Sequence, residues 1–76
     1  MKDFVSFVVR ELADHPDEVA VTAVDGKQTT IFEVRCHPQD VGRLIGRSGK
    51  TIAALRTLLS NVAAKHGRRA VLEVAE

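Results

Sequence analysis

Aromatic residues and cysteine are scarce in this chain of 76 residues, which has no Trp or Tyr, three Phe and one Cys. Because Cys36 stands alone, no intrachain disulfide can form. A small chain without disulfides suits a reducing compartment, so we expect it in the cytoplasm. The three histidines are scattered and have no cysteine at ligand spacing, so the sequence predicts neither a metal site nor a cofactor.

Long apolar runs are also missing. No stretch of about 18 apolar residues occurs, so nothing is predicted to span a membrane. Residues 1–18 contain Asp3, Arg10 and Glu11 and no small-residue cleavage site, so we do not expect a signal peptide. A hydrophobic fraction of 45% with 28% charged residues is typical of a folded domain. The length suits a single small domain, which we predict to cover residues 1–76.

Acidic side chains are absent from most of the second half of the chain, between Asp40 and Glu73. Residues 41–76 have seven basic and two acidic residues, a net charge of +5, whereas residues 1–40 have four basic and eight acidic residues, a net charge of −4. This asymmetry is expected of a domain that meets an anion on one side. A solvated basic helix face would give the same pattern, so charge alone leaves both readings open.

The hydrophobic pattern predicts six elements in the order α-β-β-α-α-β. The first helix has its apolar residues on one stripe, formed by Phe4, Val5, Val8, Val9 and Leu12. The runs EVAVTAV and TTIFEVRC flank a turn at Asp25-Gly26 and predict a hairpin. Pro38 suits the first position of a second helix. A third helix runs to about Lys65, with Gly67 as its C-terminal cap, and RAVLEVA is the last strand.

The second and last strands are joined across two helices, so they would run parallel if they are neighbours. A right-handed crossover then places the helices on one face of the sheet. We therefore predict an α+β fold, a three-stranded mixed sheet with three helices on one face and the other face largely solvated.

The stretch LIGRSGKT, residues 44–51, combines glycines, cations and hydroxyl groups and suits the binding of phosphate. A nucleotide-binding P-loop, G-x-x-x-x-G-K-[ST], is disfavoured because Leu44 occupies the place of its leading glycine and a helix precedes the loop. The loop Gly46-Arg47-Ser48-Gly49, between two helices, fits the backbone of a nucleic acid better.

The segment VGRLIGRSGKTIAAL strongly resembles the signature of the KH domain, a single-stranded nucleic-acid module. The element order matches the type II variant, and the whole chain is most similar to the small stand-alone KH proteins of bacteria, the KhpA type. The resemblance implies binding of single-stranded RNA, as an RNA chaperone or post-transcriptional regulator. It also implies a groove for bases between the two helices that flank the loop and the last strand, and pairing as a homodimer or with another KH protein.

Elementary chemistry supports this role for the loop. Without a Cβ, Gly46 and Gly49 let a sugar-phosphate backbone approach the main chain. The amides of residues 48–51, at the start of the third helix, are expected to point outward with partial positive charge. Arg47 and Lys50 add mobile cations, and such a loop clamps about four nucleotides.

Some residues near the loop have two readings. Ile45 and Ile52 are candidates for the floor of the groove, with Val71 or Leu72 opposite them, and they belong at least partly to the core, so they have either a core role or both roles. Arg43 either contacts a phosphate or is merely solvated.

Other residues are interpreted as structural or solvated and not as ligand contacts. Gly42 is interpreted as permitting close helix packing, His37 as a helix-start residue, and Cys36 as a buried small hydrophobe. Arg56 and Arg68 are interpreted as solvated. Leu58 and the apolar first helix are candidate contacts for a partner.

Catalysis has little support, because the spacing suggests no Ser–His–Asp or Cys–His arrangement and no paired carboxylates accompany the loop. With no Trp or Tyr and only three Phe, the chain lacks an aromatic platform on its strands. Base contacts must then come from aliphatic packing and hydrogen bonds, which predicts weak sequence selectivity. Two alternatives are a helix-turn-helix DNA reader and a protein-interaction module whose loop has lost its ligand. Arg56 is the one cation predicted on the outward face of the third helix, which argues against the first. The two intact glycines argue against the second.

Overall fold

The computed structural model describes residues 1–75, so Glu76, the last residue of the predicted domain, lies outside the described residues. Its helices and strands are α1 (Lys2–Leu12), β1 (Ala20–Asp25), β2 (Thr29–Arg35), α2 (Pro38–Ile45), α3 (Gly49–Lys65) and β3 (Arg69–Val74). The predicted α+β order is confirmed. A 3-10 turn between α1 and β1, at Pro16–Glu18, is an addition that the sequence pattern did not predict.

The three strands form one mixed sheet in the order β1-β2-β3. The hairpin strands β1 and β2 are antiparallel, and β2 and β3 are parallel, as the crossover through two helices predicts. The alternation along β2 is also confirmed, because Phe32 and Val34 are buried whereas Ile31 and Arg35 are exposed on the other face. That open face carries an apolar row, since the register aligns Val24, Ile31 and Val71.

One hydrophobic core lies between the helices and the sheet. Its buried side chains come from every helix and from the sheet: Val5, Val9, Val19, Phe32, Val34, Leu44, Ile52, Leu55, Leu59 and Leu72. The predicted stripe of α1 is narrower than expected, because Phe4 is 44% exposed. The core therefore holds α2 and α3 against the sheet and presents the segment between them at the surface.

The helix termini follow the chemistry of their residues. Pro38 begins α2, and the side chain of His37 accepts a hydrogen bond from the Gln39 amide (3.1 Å), which confirms its helix-start role. At the end of α3, Gly67 has a φ of 66°, a left-handed conformation that favours glycine. The amides of Gly67 and Arg68 donate to the carbonyls of Ala64 (3.0 Å) and Ala63 (2.9 Å), the pattern of a Schellman cap.

Candidate nucleic-acid interface

The predicted loop connects α2 to α3 at the surface of the molecule. Gly46, Arg47 and Lys50 are exposed, and Ser48 and Gly49 are half-buried. Two backbone hydrogen bonds fold the chain into this tight connection, from the Gly46 amide to the Gly42 carbonyl and from the Ser48 amide to the Arg43 carbonyl, both 2.8 Å. The loop is therefore rigidly joined to α2, and its outer side is free of the core.

The structure explains the glycine at one of the two loop positions but not at the other. A Cβ on Gly46 would lie 3.0 Å from the Gly42 carbonyl oxygen, so the turn itself favours glycine there. A Cβ on Gly49 would meet no atom within 4 Å, and Gly49 does not have a positive φ. The fold alone does not require glycine at position 49, and the open space beside it lets another molecule reach the main chain.

The amides at the start of α3 divide into two groups. The Ser48 and Gly49 amides donate to the carbonyls of Arg43 (2.8 Å) and Gly46 (3.1 Å), so for these two the expectation of outward-pointing amides is wrong. The Lys50 and Thr51 amides make no such bond among residues 1–75, and Ser48 caps α3 without a side-chain hydrogen bond. Because unbonded amides at a helix N-terminus carry partial positive charge, two donors remain for an anion.

The apolar neighbours of the loop are not equivalent. Ile45, at the end of α2, is 55% exposed, so the interpretation of Ile45 as a core residue is wrong. Ile52 is 3% exposed and belongs to the core, which leaves Ile45 as the apolar surface beside the loop. Of the two residues predicted opposite them, Leu72 is buried in the core and Val71 is aligned with Ile31 on the open face of the sheet.

Arg43 is neither merely solvated nor free. Its guanidinium forms an ion pair with the carboxylate of Asp14, in the segment after α1. Both side chains are about half exposed, 44% for Arg43 and 52% for Asp14. The cation nearest the loop on α2 is therefore held by an internal carboxylate that a phosphate would have to replace.

Asp40, in the first turn of α2, is the one charged side chain that is fully buried among the described residues. Its carboxylate accepts hydrogen bonds from the amides of Asp14 (3.1 Å) and His15 (3.0 Å), and the His15 Nδ1 lies 3.2 Å from it. The His15 ring stacks on His37, with centroids 4.0 Å apart. This network, which sequence reasoning missed, fastens the first turn of α2 to the segment after α1.

The network changes the acidity of two of its members. Burial alone would raise the pKa of Asp40, but the hydrogen bonds from the Asp14 and His15 amides and from the His15 ring together lower it below its usual value. Burial first, and then the charge of Asp40, raise the pKa of the Cys36 thiol. Cys36 is half-buried and packs against the core, close to its predicted role.

Two arginines read as solvated have specific partners. The Arg56 Nε donates to the carbonyl of Leu72 (3.2 Å). Arg68 donates to the carbonyls of Lys27 (3.1 Å) and Gly26 (3.2 Å) and to the Thr30 hydroxyl (3.1 Å), so it fastens the hairpin turn to the end of α3. The reading of Gly42 as a packing glycine is also wrong, because a Cβ there would meet no atom within 4 Å.

The structure gives little support for a metal site, a membrane-spanning helix or a ligand pocket beside the loop. Within residues 1–75, no group of three or more His, Cys, Asp or Glu side chains is placed to hold a metal ion. No helix in the same part of the chain is long and apolar enough to cross a membrane. A depression of about 390 Å³ lies at the far end of α3, between Lys2, Val62, His66 and the sheet, away from the glycine loop.

Comparison with known proteins places the chain in a family. The model of the family described as "KhpA/KhpB, KH domain" matches residues 2–74. The chain is 41% identical to the RNA-binding protein KhpA of Chlamydia caviae over 76 residues, which cover 100% of this chain and 97% of the relative. It is 41% identical to that of Aquifex aeolicus, with 100% and 96% covered, and 42% identical to that of Borreliella burgdorferi, with 97% and 90% covered. No solved structure is a significant match. The chain belongs to the KhpA/KhpB family of KH-domain proteins, as the signature around Gly46 and Gly49 and the order of its elements predicted.

Proposed function

We propose that this chain binds single-stranded RNA and grips its sugar-phosphate backbone at the loop Gly46-Arg47-Ser48-Gly49. The similar proteins are named as RNA-binding proteins, which is a non-enzymatic activity. The observation that carries the proposal is the open space beside Gly49, a position where the fold itself does not require glycine. The two unbonded amides of Lys50 and Thr51 follow directly after it.

The chemistry of the grip follows from the start of α3. The unbonded amides and the helix dipole present the equivalent of about half a positive charge to a phosphate. Arg47 and Lys50 are both exposed and supply mobile cations. Ile45, exposed beside the loop, offers an apolar surface to a ribose or base. With so few cations, the dependence of affinity on salt is shallow, about 0.7 in log–log slope for each phosphate contact.

The test replaces Arg47 and Ser48 together with Asp and leaves both glycines in place. The double variant puts negative charge where phosphate would lie, so we expect at least about a tenfold loss of affinity for a short single-stranded RNA, since a lost charged hydrogen bond costs about 1.5–3 kcal/mol. The matched control is Lys27→Asp with Gln28→Asp, an adjacent exposed pair in the hairpin turn with the same change of charge. Circular dichroism establishes that both variants fold.

Each alternative has its own outcome in this experiment. Undiminished RNA binding by the loop variant, or equal loss in the hairpin control, would contradict a grip at the loop. If the parent chain prefers duplex DNA to single-stranded RNA, the result favours the helix-turn-helix alternative. If it binds neither, the protein-interaction alternative gains.

A single domain that holds about four nucleotides needs a second module for useful affinity. We propose that the chain pairs with itself or with another KH protein, and that it acts in the cytoplasm as an RNA chaperone or post-transcriptional regulator. The support for pairing is an excess of exposed apolar side chains, with Leu58 on α3 46% exposed and Phe7 on α1 62% exposed. Sedimentation of Leu58→Glu and Phe7→Glu against the parent tests it, and an unchanged mass for both would contradict these contacts.

A further inference from the structure

We propose that Arg56 is a specificity-determining residue that selects guanine at one position of the bound strand. This inference rests on the proposed binding of single-stranded RNA by the loop, and it adds a base to the backbone grip. It starts from the hydrogen bond between the Arg56 Nε and the Leu72 carbonyl oxygen, 3.2 Å long.

Arg56 lies on the same side of α3 as the loop glycine. Gly49, Ala53, Arg56 and Ser60 follow one another at intervals of three or four residues, so they form one row along the helix. Arg56 is the one long side chain in this row, seven residues after Gly49, or about 10 Å along the helix axis. A strand held at Gly49 therefore has an open path along the row that ends at a guanidinium group.

The other wall of this path is the free edge of the sheet, because β3 is an edge strand. The amides of Arg69 and Ala75 donate to carbonyls of the β2 side, those of Gln28 (2.7 Å) and Val34 (2.8 Å). Because alternate residues of a strand point to opposite neighbours, the amide and carbonyl of Leu72 point to the free edge. Arg56 donates to that carbonyl, so a base at this point of the edge meets the guanidinium group and not a free carbonyl acceptor.

The bond at Nε orients the guanidinium and leaves its other end free. Neither terminal nitrogen of Arg56 has a hydrogen-bond partner in the part of the chain that the structure describes. Two parallel N–H donors held in a fixed fork match two acceptors side by side. Guanine presents such a pair, O6 and N7, and this is the commonest specific contact of arginine with a base.

Adenine fits the same position poorly. It presents one acceptor, N7, beside the N6 amino group, which is a donor and would face an arginine donor. Glutamine has one donor and one acceptor and matches adenine instead. Lysine keeps the charge of Arg56 but lacks the planar fork. These differences separate a base contact from a simple phosphate contact at this position.

The experiment measures the binding of short uridine oligoribonucleotides in which one internal position, scanned in turn, is guanosine, adenosine or 7-deazaguanosine. For the parent chain we expect guanosine at the best position to bind at least about fivefold more tightly than adenosine. We expect 7-deazaguanosine, which lacks the N7 acceptor, to lose that advantage. Arg56→Lys should keep the affinity for the plain uridine strand and lose the guanosine preference, and Arg56→Gln should shift the preference to adenosine.

The contrary results are distinct from a failure of the loop grip. If the parent binds the uridine strand but does not distinguish guanosine from adenosine at any position, or if Arg56→Lys keeps the full preference, the inference about Arg56 is overturned and RNA binding stands. If the parent does not bind the uridine strands at all, the proposed function falls and this inference falls with it. Circular dichroism of Arg56→Lys and Arg56→Gln excludes misfolding as the cause of a lost preference.

Discussion

The guanidinium of Arg43, one turn before the glycine loop, forms an ion pair with the carboxylate of Asp14, which follows α1. The pair joins an element beside the candidate site to a segment that is remote in sequence. Asp14 thus pairs with a cation that could otherwise bind a phosphate, so the Asp14 carboxylate and an RNA phosphate would compete for Arg43.

Replacement of Asp14 with Asn should release Arg43. We expect RNA affinity to rise about twofold to fivefold, since an exposed ion pair contributes about 0.2–1 kcal/mol. One additional phosphate contact should also steepen the log–log salt dependence by about 0.7. Binding titrations at several salt concentrations measure both effects. Asp17→Asn is the control, because it makes the same change of charge at an exposed side chain in the 3-10 turn. Equal effects of the two variants would mean that the change of net charge, and not the release of Arg43, raises the affinity.

Gly49→Ala separates the needs of the fold from those of a ligand. The new methyl group meets no protein atom within 4 Å, and alanine is a better helix former than glycine by up to about 1 kcal/mol. We therefore expect an unchanged or higher melting temperature together with a severalfold loss of RNA affinity, because the methyl group occupies the approach to the main chain.

The matched control for this variant is Gly42→Ala, which adds a methyl group on α2 where it also meets no atom within 4 Å. We expect it to keep RNA binding. Gly46→Ala is a poor test, since its Cβ would lie 3.0 Å from a backbone oxygen and would strain the turn. Full RNA affinity in Gly49→Ala would mean that no ligand approaches the backbone there.

The buried carboxylate of Asp40 predicts a dependence of stability on pH. Its hydrogen bonds lower its pKa in the folded state relative to the unfolded chain, so the ionised form stabilises the fold. This contribution is complete above the ordinary pKa, about 3.9. It is lost as the pH falls through the lower, folded-state value. The urea midpoint of the parent should therefore fall on acidification below about pH 4.

Asp40→Asn should lower the urea midpoint at neutral pH, because its amide nitrogen cannot accept the bond that the second carboxylate oxygen accepts. The further fall on acidification should then be smaller than in the parent. Asp17→Asn serves as a control again and should keep the behaviour of the parent. The same fall in Asp40→Asn and in the parent would assign the acid sensitivity to other carboxylates.

Arg68 should contribute to stability rather than to RNA binding. Arg68→Ala removes donors from the Gly26 and Lys27 carbonyls and from Thr30, so we expect a loss of about 1–3 kcal/mol in the free energy of unfolding. Arg69→Ala, at an exposed neighbour, should change it by less than about 0.5 kcal/mol. Urea denaturation measures both, and equal values would show that the bonds of Arg68 add nothing to the fold.

The local pattern of the chain was enough to predict its elements and their order. Alternation along β2 and the apolar spacing in α3 decide which face of each element is buried, because the strand and helix periods are local properties. The glycine loop was found in the same way, from residue types at short spacing between two helices. Glycine's freedom and the polarity of a helix start depend on residues that are close in sequence.

The tertiary structure alone decided which loop neighbours are available. Ile45 and Ile52 flank the loop in similar local settings, yet Ile52 is buried in the core and Ile45 is exposed. Likewise, Asp40 finds its hydrogen-bond partners 26 and 25 positions earlier in the chain, and Arg56 meets a carbonyl of an edge strand 16 positions later. Such partners depend on how whole elements pack against one another. A local pattern does not contain that packing, since the charged side chains of Asp40 and Arg56 would be predicted as solvated from their own helices alone.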